Sequence, residues 1–330
     1  MTFPSLSDLR AIVQPRARVI VDNDFSGDPD GLIQLAHHLL SPSVDIRVVI
    51  GSHLRKGDPF DPSGRTADNA AAAAQRVVDL AGHSDRVPVV AGSNVALVDR
   101  FTPIRSAATD AIIAEAMRDD TDLPLYLACG AGLTEVASAV LLEPRIAERL
   151  TLVWIGGPEH KGLAEPPPGS EGAEYNLAID LTAAQVVFGD SAIPIWQVPR
   201  DAYRQTLMST AELISRVRGM GALGDHLEQA ITRVSTMVEA HGIHIGETYI
   251  MGDSPLVLLT ALQSSFEPDP SSSTFVLRPT PAIDDAGRYV DTPTARPVRI
   301  YTRLDVRLMF EDFYIKLAMQ ARQQPAAESA

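Results

Sequence analysis

The sequence predicts an α/β fold: a mostly parallel open sheet with helices on both faces, a helical insertion toward the C-terminal side and short antiparallel strands. Three observations carry this. Short apolar runs recur at 18–21, 45–51, 87–91, 123–129 and 150–155, apolar throughout rather than alternating, as strands buried on both faces are. Longer stretches with helical spacing separate them, at 30–40, 66–81, 105–118 and 133–141. An acidic cluster, "VDNDFSGDPDG" at 21–31, follows the first run directly, where open α/β sheets collect ligands.

Taken in order, Arg18-Val19-Ile20-Val21 reads as a strand entering a core. The segment "TADNAAAAAQRVVDLAG" has five consecutive alanines and a glycine stop after Leu80, a strong helix signal. "SAIPIWQVP" at 191–199 reads as a sixth strand, and long helices are expected near 206–218 and 224–240. Residues 255–262, "PLVLLTAL", read as a buried helix just after Asp253. The stretch 274–305 alternates like antiparallel strands, and an amphipathic helix at about 308–322 precedes a polar tail. "PEHKGLAEPPPGSEG" at 158–172 is too rich in Pro and Gly for regular structure and follows a strand end, where binding loops lie. No internal repeat is present. The expected organisation is an N-terminal extension at 1–17, one domain at 18–322 with its helical insertion at 200–250, and a tail at 323–330.

Composition narrows the function. The chain has 330 residues, 45% of them hydrophobic, and a net charge of -14 from 42 acidic and 28 basic residues. No basic groove or tail is visible, which argues against nucleic acid as a partner. The single Cys129 rules out an internal disulfide and a cysteine-based zinc site. No apolar run approaches the about 20 residues that cross a bilayer, and the N-terminus lacks a signal-peptide pattern, so no membrane partner and a cytoplasmic location are expected.

Asp22, Asp24, Asp28 and Asp30 fall within nine positions at the mouth of a buried strand. Such crowding is repulsive unless a cation relieves it; a hard cation such as Ca²⁺ takes oxygen ligands and tolerates the irregular set a loop supplies. Gly27 lets the turn fold tightly enough for Asp24 and Asp30 to face inward together. One loop does not complete the about 6–8 oxygens of a Ca²⁺ shell. Asp253 in "MGDSP" and a carbonyl near Cys129 in "LACGAGLTE" are the remote candidates. A solvated acidic loop and a metal-free catalytic pair are the competing readings. The EF-hand ligand ladder is absent, a haloacid-dehalogenase phosphatase would need a lysine and a later acidic pair that are not evident, and a dinucleotide-binding fold would need G-x-G-x-x-G where this chain places aspartates.

With these residues in view, the chain resembles the inosine-uridine-preferring nucleoside hydrolase family, whose members open with DxDxGxDD after the first strand. "DNDFSGDPDG" is similar to that motif with one residue inserted. "TADNA" at 66–70, "VPVVAGSN" at 87–94, "ACGAGLTEVASAVLLEPRIAERLTLVWIGG" at 128–157, "AEYNLAIDLTAAQVVF" at 173–188 and "GDSPL" at 252–256 follow in the family's order. The resemblance runs over about 18–320. It implies a nucleoside hydrolase-like fold, Ca²⁺-dependent hydrolysis of the N-glycosidic bond of a ribonucleoside, and assembly as a homodimer or homotetramer. Asp24 then matches the residue that ligates Ca²⁺ and activates the attacking water. Asp30 matches the bidentate metal ligand and Asp28 the contact to the ribose hydroxyls, with the two roles exchanged in the alternative register. Asp22 supports the site from behind. Cys129 stands at a position whose backbone carbonyl binds the metal. Glu174 and Asn176 match the pair that grips the sugar, and Asp253 the last metal-bound carboxylate.

The departures matter as much. Gly252 replaces the histidine that many members carry before the final aspartate. "HL" at 53–54 replaces the usual asparagine, and no histidine-glycine stretch follows "AGSN". Tyr249, Trp196, His241 and His244 are therefore candidates, by type and region only, for contacting the leaving base. Two other classes stay open: a hydrolase of a different or modified N-riboside, and a non-catalytic sugar-binding protein that kept the fold.

Overall fold

The computed structural model describes residues 4–170, 172–240, 242, 244–264, 266 and 271–323. Its strands are β1 (Ala17–Asn23), β2 (Val44–Gly51), β3 (Val89–Ala91), β4 (Leu125–Cys129), β5 (Thr151–Ile155), β6 (Ile195–Val198), β7 (Leu207–Ser209), β8 (Thr248–Ile250), β9 (Thr274–Pro279), β10 (Ala282–Ile283), β11 (Tyr289–Val290) and β12 (Pro297–Arg303). Eight form one sheet in the order β3-β2-β1-β4-β5-β6-β12-β9. It is parallel from β3 through β12, and β9 closes the edge antiparallel to β12. The pairs β10–β11 and β7–β8 make two small antiparallel ribbons. The mostly parallel sheet and the short antiparallel strands are as the sequence predicts. Among the described residues, no helix is long and apolar enough to cross a membrane.

The absence of polar alternation in β1 now has its reason. All seven of its residues are buried. Val19 and Val21 enter one core layer and Ile20 the other, so both faces are covered. The first layer is completed by helices Asp30–Leu39, Thr66–Leu80, Pro255–Thr260 and Val306–Gln323, the second by Ala107–Ala116 and Thr134–Leu142. The alanines of 70–74 have a packing role: a Cβ on Gly51, at the end of β2, would stand 2.2 Å from the Ala71 backbone nitrogen. Helix and strand backbones therefore touch, which larger residues on either side would prevent.

The expected helix at 206–218 is corrected. Residues 207–209 form β7, which pairs with β8, and helical structure begins only at Thr210. The Ser209 hydroxyl accepts from the Glu212 amide and the Glu212 carboxylate accepts from the Ser209 amide, a capping box that starts the helix late. The strand at 191–199 is shorter than expected, at Ile195–Val198. The 158–172 stretch is irregular over its described residues.

The helix that begins with Asp30 is buried along its whole length and is tied to the last helix. His37 Nε2 lies 2.8 Å from the Asp312 carboxylate, which also takes Lys316 Nζ at 2.5 Å, and Lys316 donates on to Ser41 Oγ at 2.9 Å. Burial lowers the His37 imidazole to about 4, outweighing the pull of Asp312. A histidine in the unfolded chain, near 6.5, takes up a proton that the folded chain refuses. Stability present above about pH 6.5 is therefore lost as pH falls toward 4, by up to about 3 kcal/mol from this residue. Melting curves from pH 7 to 4.5 should fall less steeply for His37→Gln, whose amide still donates to Asp312. Parallel curves for variant and parent would remove His37 as the source.

A carboxylate-lined cavity as the candidate active site

The order of the strands reverses between β1 and β4, and the carboxyl ends of both open into one cavity of about 240 Å³. Asp24, Asp28, Asp30, Asp253, Glu174 and Asn176 all line it, together with Phe60, Tyr175, Tyr203, Ile250 and Gly252. Six residues proposed from sequence, drawn from three distant stretches of chain, thus meet in one place.

The loop after β1 is pinned by its own backbone. The Gly27 amide donates to the Asp24 carbonyl at 2.7 Å, and the Asp24 amide donates to Asn23 Oδ1 at 2.8 Å. Asn23 also donates through Nδ2 to Asp253 Oδ2 at 2.9 Å, and the Asp253 amide donates to Asp30 Oδ2 at 3.1 Å. Asp30 and Asp253, 223 residues apart, are therefore direct neighbours. Gly130 makes that approach feasible, since a Cβ there would fall 2.5 Å from Asn23 Nδ2 and 2.6 Å from Asp253 Oδ1. Asp28 Oδ1 accepts from the Tyr249 hydroxyl at 2.7 Å.

Glu174 caps a short helix, Tyr175–Ile179, and its carboxylate accepts from the amides of Gly157 (2.7 Å) and Leu177 (3.1 Å) and from the Tyr203 hydroxyl (2.8 Å). With about four acceptor positions on a carboxylate, one is left for a ligand. Asn176 Nδ2 donates to the carbonyls of Gly130 (3.1 Å) and Ile155 (2.8 Å), which occupies both its hydrogens and leaves Oδ1 to accept.

Behind the cavity, Asp22 is fully buried. One of its oxygens accepts from Ser52 Oγ and the other has no partner among the described residues; burial raises its carboxyl to about 8. Burial, followed by the charges of Asp253 and Asp28, pushes Asp24 well above the carboxylate range, and the same causes act on Asp30. Burial raises Asp253 to about 7 and Asp28 to about 6. Among the described residues, no lysine or arginine lines the cavity. Negative charge here is buried and uncompensated, and a hard divalent cation suits an all-oxygen donor set of this kind. Among the described residues, no three His, Cys, Asp or Glu side chains form a ready metal shell, so backbone or ligand oxygens would have to contribute.

Cys129 ends β4, its side chain buried in the core with Sγ directed at the carbonyls of Ala131 and Gly132. Its thiol is thus turned from the cavity. Two of the base-contact candidates, Trp196 and His244, are not brought there. Trp196 packs against Tyr126 and Tyr301, with the Arg299 guanidinium 4.2 Å from its ring centre. His244 is exposed and does not line the cavity. His241 lies outside the described residues. His53, where asparagine was expected, is buried and lies 2.9 Å from the Leu54 carbonyl and 2.8 Å from Thr134 Oγ1.

Sequence reasoning missed Asn23, Tyr175, Tyr203, Phe60 and Asp58. Tyr175 stands between the two predicted sugar residues and donates to buried Asp58 at 2.9 Å, fastening the loop that carries Phe60. Asn23 sits between two predicted aspartates; its amide links both halves of the cluster. Phe60 and Asp58 carried no local signal.

Residues 19–309 match the family model described as inosine-uridine preferring nucleoside hydrolase. Two proteins named inosine-uridine preferring nucleoside hydrolase are similar to this chain. One, from Leishmania major, is 42% identical over 94 residues, 27% of each chain. The other, from Crithidia fasciculata, is 28% identical over 230 residues, 61% of this chain. The matches span 27% and 65% of the lengths of these two curated relatives. Among solved structures, the purine-preferring ribonucleoside hydrolase from Gardnerella vaginalis superposes with a TM-score of 0.67 at 19% identity, covering 92% of this chain and 99% of that one. The fold agrees along nearly the whole chain, and the family model spans the strands, the acidic loop and the cavity built from them. On that evidence the chain belongs to the inosine-uridine preferring nucleoside hydrolase family.

Proposed function

We propose that this chain hydrolyses the N-glycosidic bond of a ribonucleoside to ribose and free base, with Asp24 as the general base and Ca²⁺ held by Asp24, Asp30, Asp253 and the Cys129 carbonyl. The observation that carries this is the convergence of Asp24, Asp28, Asp30, Asp253, Glu174 and Asn176 in one cavity. Bound Ca²⁺ would supply an oriented water of lowered pKa. The contact between Asp30 and Asp253 favours the register in which Asp30 is the ligand and Asp28 reads the sugar. The free Asn176 Oδ1 and the remaining acceptor position of Glu174 suit ribose hydroxyls, which donate. As the bond breaks, positive charge develops on the ribose, and the buried carboxylates stabilise it more than the neutral ground state. Asp24 takes the proton of the attacking water.

The departing base is less well served. Gly252 offers no donor, and the hydroxyl protons of Tyr175, Tyr203 and Tyr249 are committed to Asp58, Glu174 and Asp28. That commitment favours a second reading within the same site: an N-riboside whose leaving group departs without protonation. The deciding measurement is kcat/KM for p-nitrophenyl riboside, inosine, uridine and a 2′-deoxyribonucleoside. Ribosides should exceed the deoxy compound by roughly 5–150-fold, the consequence of about 1–3 kcal/mol for polar partners left unsatisfied. The activated riboside should exceed inosine. Equal rates on ribo and deoxyribo substrates would refute the assignment of the sugar residues, and efficient inosine cleavage would mean that one of these tyrosines, or His241, gives up a proton.

A further inference from the structure

At the opposite edge of the sheet, where β2 begins, a second cavity of about 480 Å³ opens to solvent. Arg10, Arg47, His83 and Arg86 line it together with, among the described residues, a single acidic one, Asp45. Asp45 is bound to Arg47 at 2.9 Å. Arg10 and Arg86 instead converge on His83: Arg10 Nη2 lies 3.3 Å from Nε2, and Arg86 Nη2 lies 3.0 Å from Nδ1. Neither makes an ion pair among the described residues. A guanidinium only donates, and a neutral imidazole has one acceptor nitrogen. One of the two contacts therefore sets N–H against N–H. Burial, with the charges of Arg86 and Arg10, lowers the His83 imidazole to about 4, so a proton on the ring is no remedy.

The frame that holds this arrangement is firm. Arg10 stands on the helix Leu6–Ile12, capped reciprocally by Ser5 and Asp8 and anchored by buried Leu6. His83 and Arg86 share a turn in which the amides of Arg86 and Val87 both donate to the His83 carbonyl at 3.0 Å. A chain of net charge -14 thus keeps two uncompensated guanidiniums facing one cavity.

We propose that this cavity binds the phosphate group of a small molecule, with Arg10 and Arg86 as its two ligating guanidiniums. Paired guanidiniums match the geometry and charge of phosphate oxygens, and an anion between them gives each a true acceptor in place of the contested ring nitrogen. The volume admits a phosphate with a sugar-sized substituent. The site is remote from the acidic cavity and independent of the activity proposed for it.

Calorimetric titration of the full chain with inorganic phosphate and with ribose 5-phosphate, at ionic strength matched with NaCl, tests this. Saturable binding of either probe is expected, weakened about tenfold or more in Arg10→Gln/Arg86→Gln and retained in Asp24→Asn. Tighter binding of ribose 5-phosphate would assign the site to phosphate esters; equal binding would assign it to the phosphate group alone. No saturable heat with either probe, unchanged affinity in the double variant, or loss of binding in Asp24→Asn would overturn the proposal. Both arginines are exposed, so the double variant should retain the parent's melting temperature.

Discussion

Asp24→Asn is expected to lower kcat/KM for a ribonucleoside by roughly 10²–10⁴-fold, the range attributed to a positioned general base. The substitution is nearly isosteric and leaves intact the backbone bonds that shape the loop, from the Gly27 amide and to Asn23 Oδ1. It also removes one of several buried, mutually repelling carboxyls, so in metal-free protein the melting temperature should hold or rise. This opposition of effects separates a chemical role from a structural one, because a scaffold residue would lose stability and activity together. Parental turnover in the variant would exclude Asp24 as the base. A variant that lost both turnover and fold would identify Asp24 as a scaffold residue.

The sheet was legible because its strands are buried on both faces and so appear as bare apolar runs; β1, with every residue buried, is the clearest case. Reading failed where tertiary pairing competes with helical spacing. Residues 207–209 look helical locally, yet they pair with β8, some forty residues later in the chain, and nothing nearby announces that partner. In the site, the acidic loop was visible as a charge anomaly. Asp253 could be offered as a remote partner for that loop, but its direct contact with Asp30 could not be read, since no periodicity relates residues so far apart. The tyrosines were hardest. Tyr175, Tyr203 and Tyr249 are ordinary aromatic residues in sequence, and only their hydroxyl partners show that each is spent on a carboxylate. Trp196 shows the converse: a residue of suitable type and region whose ring faces Tyr126 and Arg299 instead.

Removing divalent cations should abolish turnover and make the fold less stable, and restoring Ca²⁺ should reverse both. The physical basis is the electrostatic state of the cavity. Asp24, Asp30 and Asp253 are buried beside half-buried Asp28 with no basic side chain among the described residues lining the cavity, and each is held above its ordinary proton affinity. A divalent cation that binds the folded chain and not the unfolded one adds about 2.7 kcal/mol at a concentration 100 times its Kd. For a chain of this length that corresponds to a rise in Tm of about 3–5 °C. Mg²⁺, which demands a smaller and more regular octahedral shell, should restore less than Ca²⁺ at equal concentration, because these ligands come from a loop and from separate chain segments. Exhaustive chelation followed by metal analysis, melting and turnover on one sample makes the comparison direct. If the chelated chain melts unchanged in saturating Ca²⁺ and still turns over, protonation rather than a cation relieves the repulsion among the carboxyls. The hydrolysis would then have to proceed through the metal-free acid–base pair that the sequence also allowed.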